Sequence, residues 1–254
     1  MKLAFSTLAC PTWTFNETVS AVKDLGFDAL EIRGVLGELY APKIKELTVE
    51  NLIDRDVKIS MLSSSAQLAV HSAKNALAEA KDYINLAVKL AVPFVRVLST
   101  DTPQYDGGDT ALFIRQYAAV LRYAEGSGVE PLIETNGLFV NTARLADVLE
   151  KTGGGALWDI HHPFRFGGES VSETVANLKN LIKYVHVKDS VVTNGAVKYR
   201  LLGSGTVPVA EAVAALEKIG YDGYYSLEWV KRWDLSLEES AIAIPHYASF
   251  MRSL

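Results

Sequence analysis

Sulfur and positive charge are both scarce in this chain. A single cysteine, Cys10, stands in 254 residues, which excludes an internal disulfide and any cysteine-based metal cluster and fits a reducing compartment. Cys10 is expected to be a small core residue near a strand end. With 25 Lys and Arg against 30 Asp and Glu, the formal charge is −5, so broad attraction to nucleic acid or an anionic membrane is not expected. No uninterrupted apolar run is long enough to span a bilayer, and the apolar part of the first ten residues is too short for a signal peptide. A soluble, cytoplasmic protein is the expectation. The first strand is also not followed by the glycine fingerprint that cradles a dinucleotide.

What the chain does have is hydrophobic content of 49%, enough to bury a sizeable core, and a regular alternation of short apolar runs with amphipathic segments. Strands are expected at 3–7, 29–33, 57–63, 94–99, 130–135, 156–160, 184–188 and 224–228. Helical spacing follows each of them. The helices are expected to start with Asn16 as a cap and to stop at Gly26, then to cover 43–54, 72–90, the run through Leu112 and Leu121, 142–151, 172–181, 209–219 and 237–250. Polar, glycine-bearing loops at 101–109 and around Gly195, Gly203 and Gly205 separate some of them.

Eight strand–helix units in about 250 residues are what a closed (β/α)8 TIM barrel requires, and residues 1–254 are expected to form one such domain. A doubly wound open sheet is the alternative. In a barrel the reactive face lies where strands end. Four of the later strands end in Glu134, Asp159, His186 and Glu228. Three carboxylates and an imidazole suit one divalent ion, Mn²⁺ first, with Mg²⁺, Co²⁺ or Zn²⁺ as competitors. Buried together without a cation, the three acids would repel one another until one took up a proton.

The runs Asp159-Ile160-His161-His162, His186-Val187-Lys188-Asp189 and Gly223-Tyr224-Tyr225-Ser226-Leu227-Glu228 resemble those of the xylose isomerase-like TIM barrels, a group of sugar isomerases and epimerases that also holds dehydratases and apurinic endonucleases. The resemblance covers essentially the whole chain. It implies that Glu134, Asp159, His186 and Glu228 hold one metal and that His162 contacts substrate. The endonuclease branch carries three zinc ions and further histidines. Here the fourth strand ends Leu98-Ser99-Thr100, and the loop after His186 offers Lys198-Tyr199-Arg200-Leu201. That departure argues for one metal and against DNA repair, leaving His71 as the one spare histidine of the earlier strands.

The expected activity is therefore isomerisation or epimerisation of a small sugar or sugar-like polyol through a metal-bound enediolate. Glu134 and Glu228 would move the proton, and His162 and Lys188 would orient substrate oxygens or stabilise negative charge. Glu31, Arg33, Arg165, Arg200, Trp13 and Trp229 are further candidates at strand ends or in the loops after them. Arg200, near Gly203 and Gly205, is the attractive one for a phosphate or carboxylate, and Trp13 and Trp229 for stacking on a sugar. Arg96 is set aside as an arginine paired inside the barrel. A dehydratase of the inosose or dehydroshikimate type and a noncatalytic carbohydrate-binding barrel are the competing functions. Trp233 and Tyr247 are candidates for a homo-oligomer contact.

Overall fold

The computed structural model describes residues 1–104 and 107–254, so positions 105 and 106 of the expected 101–109 loop lie outside the described residues. Eight parallel strands close into a barrel: β1 (Lys2–Ser6), β2 (Ala29–Ile32), β3 (Ile59–Gln67), β4 (Phe94–Leu98), β5 (Glu130–Glu134), β6 (Gly155–Asp159), β7 (Ile182–Val187) and β10 (Tyr224–Leu227). Around the barrel their order is β1-β10-β7-β6-β5-β4-β3-β2. The helices between them are α1 (Phe15–Asp24), α2 (Val49–Asp54), α3 (Ala76–Leu90), α4 (Thr110–Ala124), α5 (Thr142–Thr152), α6 (Val171–Leu178), α7 (Val209–Lys218) and α8 (Ser240–Arg252). No helix among the described residues is long and apolar enough to cross a membrane.

The strands are buried on both faces, which is why they are near-continuous apolar runs. Outward-facing residues such as Phe5, Val95, Ile133 and Val185 pack against the helices in the larger core, where Cys10 also sits. Burial pushes the Cys10 thiol up to about 12, so it behaves as a small apolar group. Inward-facing Met61, Leu132, Leu157 and Tyr184 form a separate apolar floor, closed by Phe94 and Tyr224. The Tyr184 hydroxyl lies 2.8 Å from Ser60 Oγ, so this buried phenol is satisfied.

Several boundaries differ from the sequence expectation. Thr14, two positions before Asn16, caps α1, in a capping box with Glu17. The helix expected over 43–54 is a 3-10 turn (Ala41–Lys43) and the short α2, whose cap is Thr48. β3 continues through a serine run to Gln67. The loop after β7 is an antiparallel hairpin, β8 (Asp189–Thr193) and β9 (Ala196–Arg200), joined at Asn194-Gly195, both at positive φ. That pair supplies the turn geometry a two-residue hairpin needs.

Gly203 and Gly205 do not open the backbone to a ligand. They bring it onto Asp189, whose carboxylate accepts from the N–H groups of Gly203 at 3.0 Å, Gly205 at 2.8 Å and Val207 at 3.0 Å. A Cβ on Gly205 would stand 2.0 Å from Asp189 Oδ1. Gly205→Ala is expected to cost about 1–3 kcal/mol, seen as a lowered midpoint of thermal unfolding; an unchanged midpoint would show that the Asp189 clasp does not hold this loop.

Candidate metal centre

Side chains alternate along a strand, so the parity set by the floor dictates what points inward above it. Leu132 is followed two residues on by Glu134, Leu157 by Asp159, Tyr184 by His186 and Lys188, and Tyr224 by Ser226 and Glu228. The register agrees: Asp159 pairs with His186, and His186 with Ser226. The same parity brings Glu31 and Arg33 inward from β2 and Arg96 from β4, through the pairings of Glu31 with Met61 and Arg96 with Leu132.

Glu134, Asp159, His186 and Glu228 are all buried, and one donor atom from each lies within 4.8 Å of the others. His186 Nδ1 stands 3.5 Å from Glu134 Oε1, 3.9 Å from Asp159 Oδ2 and 3.4 Å from Glu228 Oε1. Donors bound at about 2.1 Å to a common ion are separated from one another by roughly these distances. His186 Nδ1 is buried and has no hydrogen-bond partner among the described residues. The donor set, three carboxylates and one imidazole, fits a divalent ion of hard to borderline character.

Asp159 and His186 are oriented from behind. Asp159 Oδ1 accepts from the backbone N–H of His161 at 2.9 Å and of His162 at 3.2 Å, which turns Oδ2 toward the cluster. His186 Nε2 lies 3.0 Å from Glu31 Oε2, and Glu31 also accepts from Ser63 Oγ at 2.6 Å and Ser226 Oγ at 2.7 Å. Glu31, expected from the sequence at the substrate, is fully buried beneath His186, where it holds the imidazole with Nδ1 facing the acids. Glu31→Gln is expected to weaken divalent-ion affinity by about 10–100-fold, read by calorimetric titration, and an affinity equal to wild type would remove that role.

Two side-chain cations share the cluster. Arg96 Nη1 is 3.2 Å from both Glu134 Oε2 and Glu228 Oε1, and Lys188 Nζ is 2.6 Å from Asp159 Oδ2 and donates to Glu228 Oε2. The acids are thus compensated in part without a metal ion. Arg96 is indeed paired inside the barrel, yet it also lines the cavity, a role not expected from the sequence. Burial raises Asp159 to about 7, against the pull of Lys188. Burial acts on Glu228 in the same direction but is overcome by Lys188, His186 and Arg96, which hold it well below the usual carboxylate range. For His186 burial opposes the charge, and Glu31 and Glu228 outweigh it, raising it well above the ordinary histidine range. Ion binding at Nδ1 requires the neutral ring, so it would compete with protonation there.

Above the cluster is a cavity of about 310 Å³, walled by Glu134, His162, Lys188, Glu228, Arg33, Tyr199 and Trp233 among others. His162 sits with Nε2 3.7 Å from Asp159 Oδ2 and Nδ1 3.8 Å from Glu134 Oε1. Burial and the neighbouring Lys188 hold it well below the ordinary histidine range, so the ring is neutral. Its Nδ1 has no hydrogen-bond partner among the described residues.

Other candidates fall elsewhere. Arg200 is exposed on β9 and bonds the Tyr199 carbonyl. Trp13 packs against the outer core. Trp229 is buried with Nε1 on the Glu238 carbonyl, Arg165 pins Ser190 and Thr206, and His71 pairs with Asp109, the cap of α4. Tyr247 is buried, its hydroxyl on the Tyr225 carbonyl, which removes it as an oligomer contact; Trp233 stands over Arg33 at the cavity.

The model of the family described as xylose isomerase-like TIM barrel matches residues 19–253. No sequence among the curated proteins matches. Among solved structures the chain is similar to the 3-keto-D-glucoside 4-epimerase YcjR from E. coli, with a TM-score of 0.79 at 14% identity over 100% of both chains. It is similar to the probable 3-DHS dehydratase AsbF from Bacillus anthracis, with 0.76 at 16% identity over 99% of both. A third is the IolI protein with a bound zinc atom, with 0.81 at 17% identity, covering 100% of this chain and 97% of that one. At these identities the likeness is one of fold.

Proposed function

The chain belongs to the xylose isomerase-like TIM barrel family, and from that premise we propose that it is a divalent-metal-dependent isomerase or epimerase of a small sugar or sugar-like polyol. The observation that carries this reading is His186 Nδ1, buried, unpartnered, and facing oxygens of three carboxylates. Glu134, Asp159, His186 and Glu228 would hold the ion, with Mn²⁺ the best match to an oxygen-rich set containing one imidazole. When bound, such an ion polarises a carbonyl and stabilises the charge left by proton removal.

The protein's own residues do the rest. Glu134 on β5 and Glu228 after β10 flank the strands of Asp159 and His186 in the barrel order, so they approach the cavity from two sides. One carboxylate takes a proton from the carbon beside the carbonyl and the other returns it. Return to the opposite face of that carbon is epimerisation, and return to the neighbouring carbon is isomerisation. Neutral His162 offers its unpartnered Nδ1 to a substrate hydroxyl, and Lys188 Nζ offers charge to a developing oxyanion.

The test is incubation of the Mn²⁺-loaded protein with keto-sugars in D₂O. Deuterium enters the carbon beside the carbonyl without loss of water, and chelation stops it. A fully loaded protein that exchanges no carbon-bound proton on a sugar it binds would favour a noncatalytic carbohydrate-binding barrel. A second reading, dehydration of a cyclic keto-acid, is favoured by the three cations Arg33, Arg96 and Lys188 in the cavity wall. It would show itself in the same assay as an unsaturated carbonyl.

A further inference from the structure

Across the cavity from the metal-centre strands, the ends of β2 and β3 carry a group that the proton-transfer reading leaves without work. Arg33 is only 9% exposed. Its Nη2 donates to Ser65 Oγ at 2.6 Å, while Nη1 is buried and has no hydrogen-bond partner. No carboxylate forms an ion pair with it among the described residues. A guanidinium withdrawn from water without a counter-charge costs stability, and a bound anion is the natural compensation.

The surroundings are those of a binding wall. Ser65 and Gln67, on the extension of β3, line the same cavity as Arg33. Trp233 stands over the guanidinium at 5.7 Å from the ring centroid, limiting its contact with solvent. Burial, with Arg96 adding to it, brings Arg33 down to about 10, still charged at neutral pH. β2 and β3 lie on the side of the barrel away from β6 and β7, so a ligand held by Arg33 spans the cavity toward Asp159 and His186.

We propose that the cavity takes a carboxylated substrate, a sugar acid or carboxylated polyol, whose carboxylate is held by Arg33 with Ser65 and Gln67 while its carbonyl end faces Glu134 and Glu228. The planar fork of arginine matches a carboxylate, and a cavity of about 310 Å³ suits a six-carbon acid. The proposal rests on the isomerase or epimerase reading only for the placement of the carbonyl end. The anion anchor is a specificity residue on the far wall.

The test compares matched acid and neutral pairs, D-fructuronate with D-fructose and D-glucuronate with D-glucose, by calorimetry on the Mn²⁺-loaded protein. The acids are expected to bind about 10–100-fold more tightly than their neutral partners. Arg33→Gln abolishes that preference while leaving metal content and folding unchanged, and Arg33→Lys, which keeps the charge without the fork, retains part of it. Equal affinity for acid and neutral partner, a preference that survives Arg33→Gln, or no binding by either acid overturns the proposal. Arg33-dependent acid binding with no proton exchange would sustain the anchor and sink the proton-transfer reading instead.

Discussion

Solvent exchange of the substrate's carbon-bound proton falls by about 10²–10⁴-fold when either Glu134 or Glu228 is replaced by Gln, measured at Mn²⁺ concentrations that saturate each variant. The amide keeps an oxygen donor for the ion but cannot take a proton, so the variants separate the two duties of each carboxylate. Both carboxylates have one oxygen directed at His186 Nδ1 and the other engaged by a cation: Arg96 on Glu134 Oε2, Lys188 on Glu228 Oε2. That arrangement holds Glu228 well below the usual carboxylate range, as a base needs, with Lys188 the strongest of the cations opposing its burial. Exchange within tenfold of wild type in both saturated variants would remove these glutamates from the proton path.

The second large effect is on the metal-free protein. Lys188 is buried, and burial opposes its charge, but Asp159 and Glu228 hold its pKa above the ordinary lysine range. Lys188→Met takes away that cation and leaves two buried carboxylates facing each other, at a cost of about 3–5 kcal/mol. For a chain of this length that is a fall of roughly 6–20 °C in the unfolding midpoint. Added Mn²⁺ supplies the missing positive charge, so the thermal gain on metal binding is larger for Lys188→Met than for wild type. A variant as stable as wild type in the absence of metal would show that Lys188 is not the counter-charge of the empty centre.

The barrel and the four ligand strands were legible because parallel strands buried on both faces are compact apolar runs, and a charged residue closing such a run stands out. Glu134, Asp159, His186 and Glu228 each close one. The supporting residues were harder to find. Glu31 and Arg33 share a strand and a parity, yet one is a buttress beneath His186 and the other a wall of the cavity. Only the register of β2 against β3, with Glu31 opposite Met61, sets their depth. Arg96 carried a usable signal, since Phe94 and Arg96 have the inward parity of the floor residue Leu132.

Loop geometry was least legible. Arg200 looked suited to an anion because of the glycines beside it, but Gly203 and Gly205 make room for Asp189, a contact sixteen residues apart in the case of Gly205. The polar run 63–67 lacks apolar alternation, so nothing local marks it as the strand that carries Ser65 and Gln67 to the cavity. Trp233 was a candidate subunit contact from its position near the last helix; it is 57% exposed, and the path of the segment after β10 puts it over Arg33.

The central claim is that one dication is gripped jointly by Glu134, Asp159, His186 and Glu228. Anomalous scattering from crystals of the Mn²⁺-loaded protein tests it most directly. The account predicts a single peak within about 2.0–2.3 Å of a carboxylate oxygen of each acid and of His186 Nδ1, with Lys188 Nζ moved away from Asp159 Oδ2. No peak there, or a peak that leaves His186 Nδ1 uncoordinated, would contradict it.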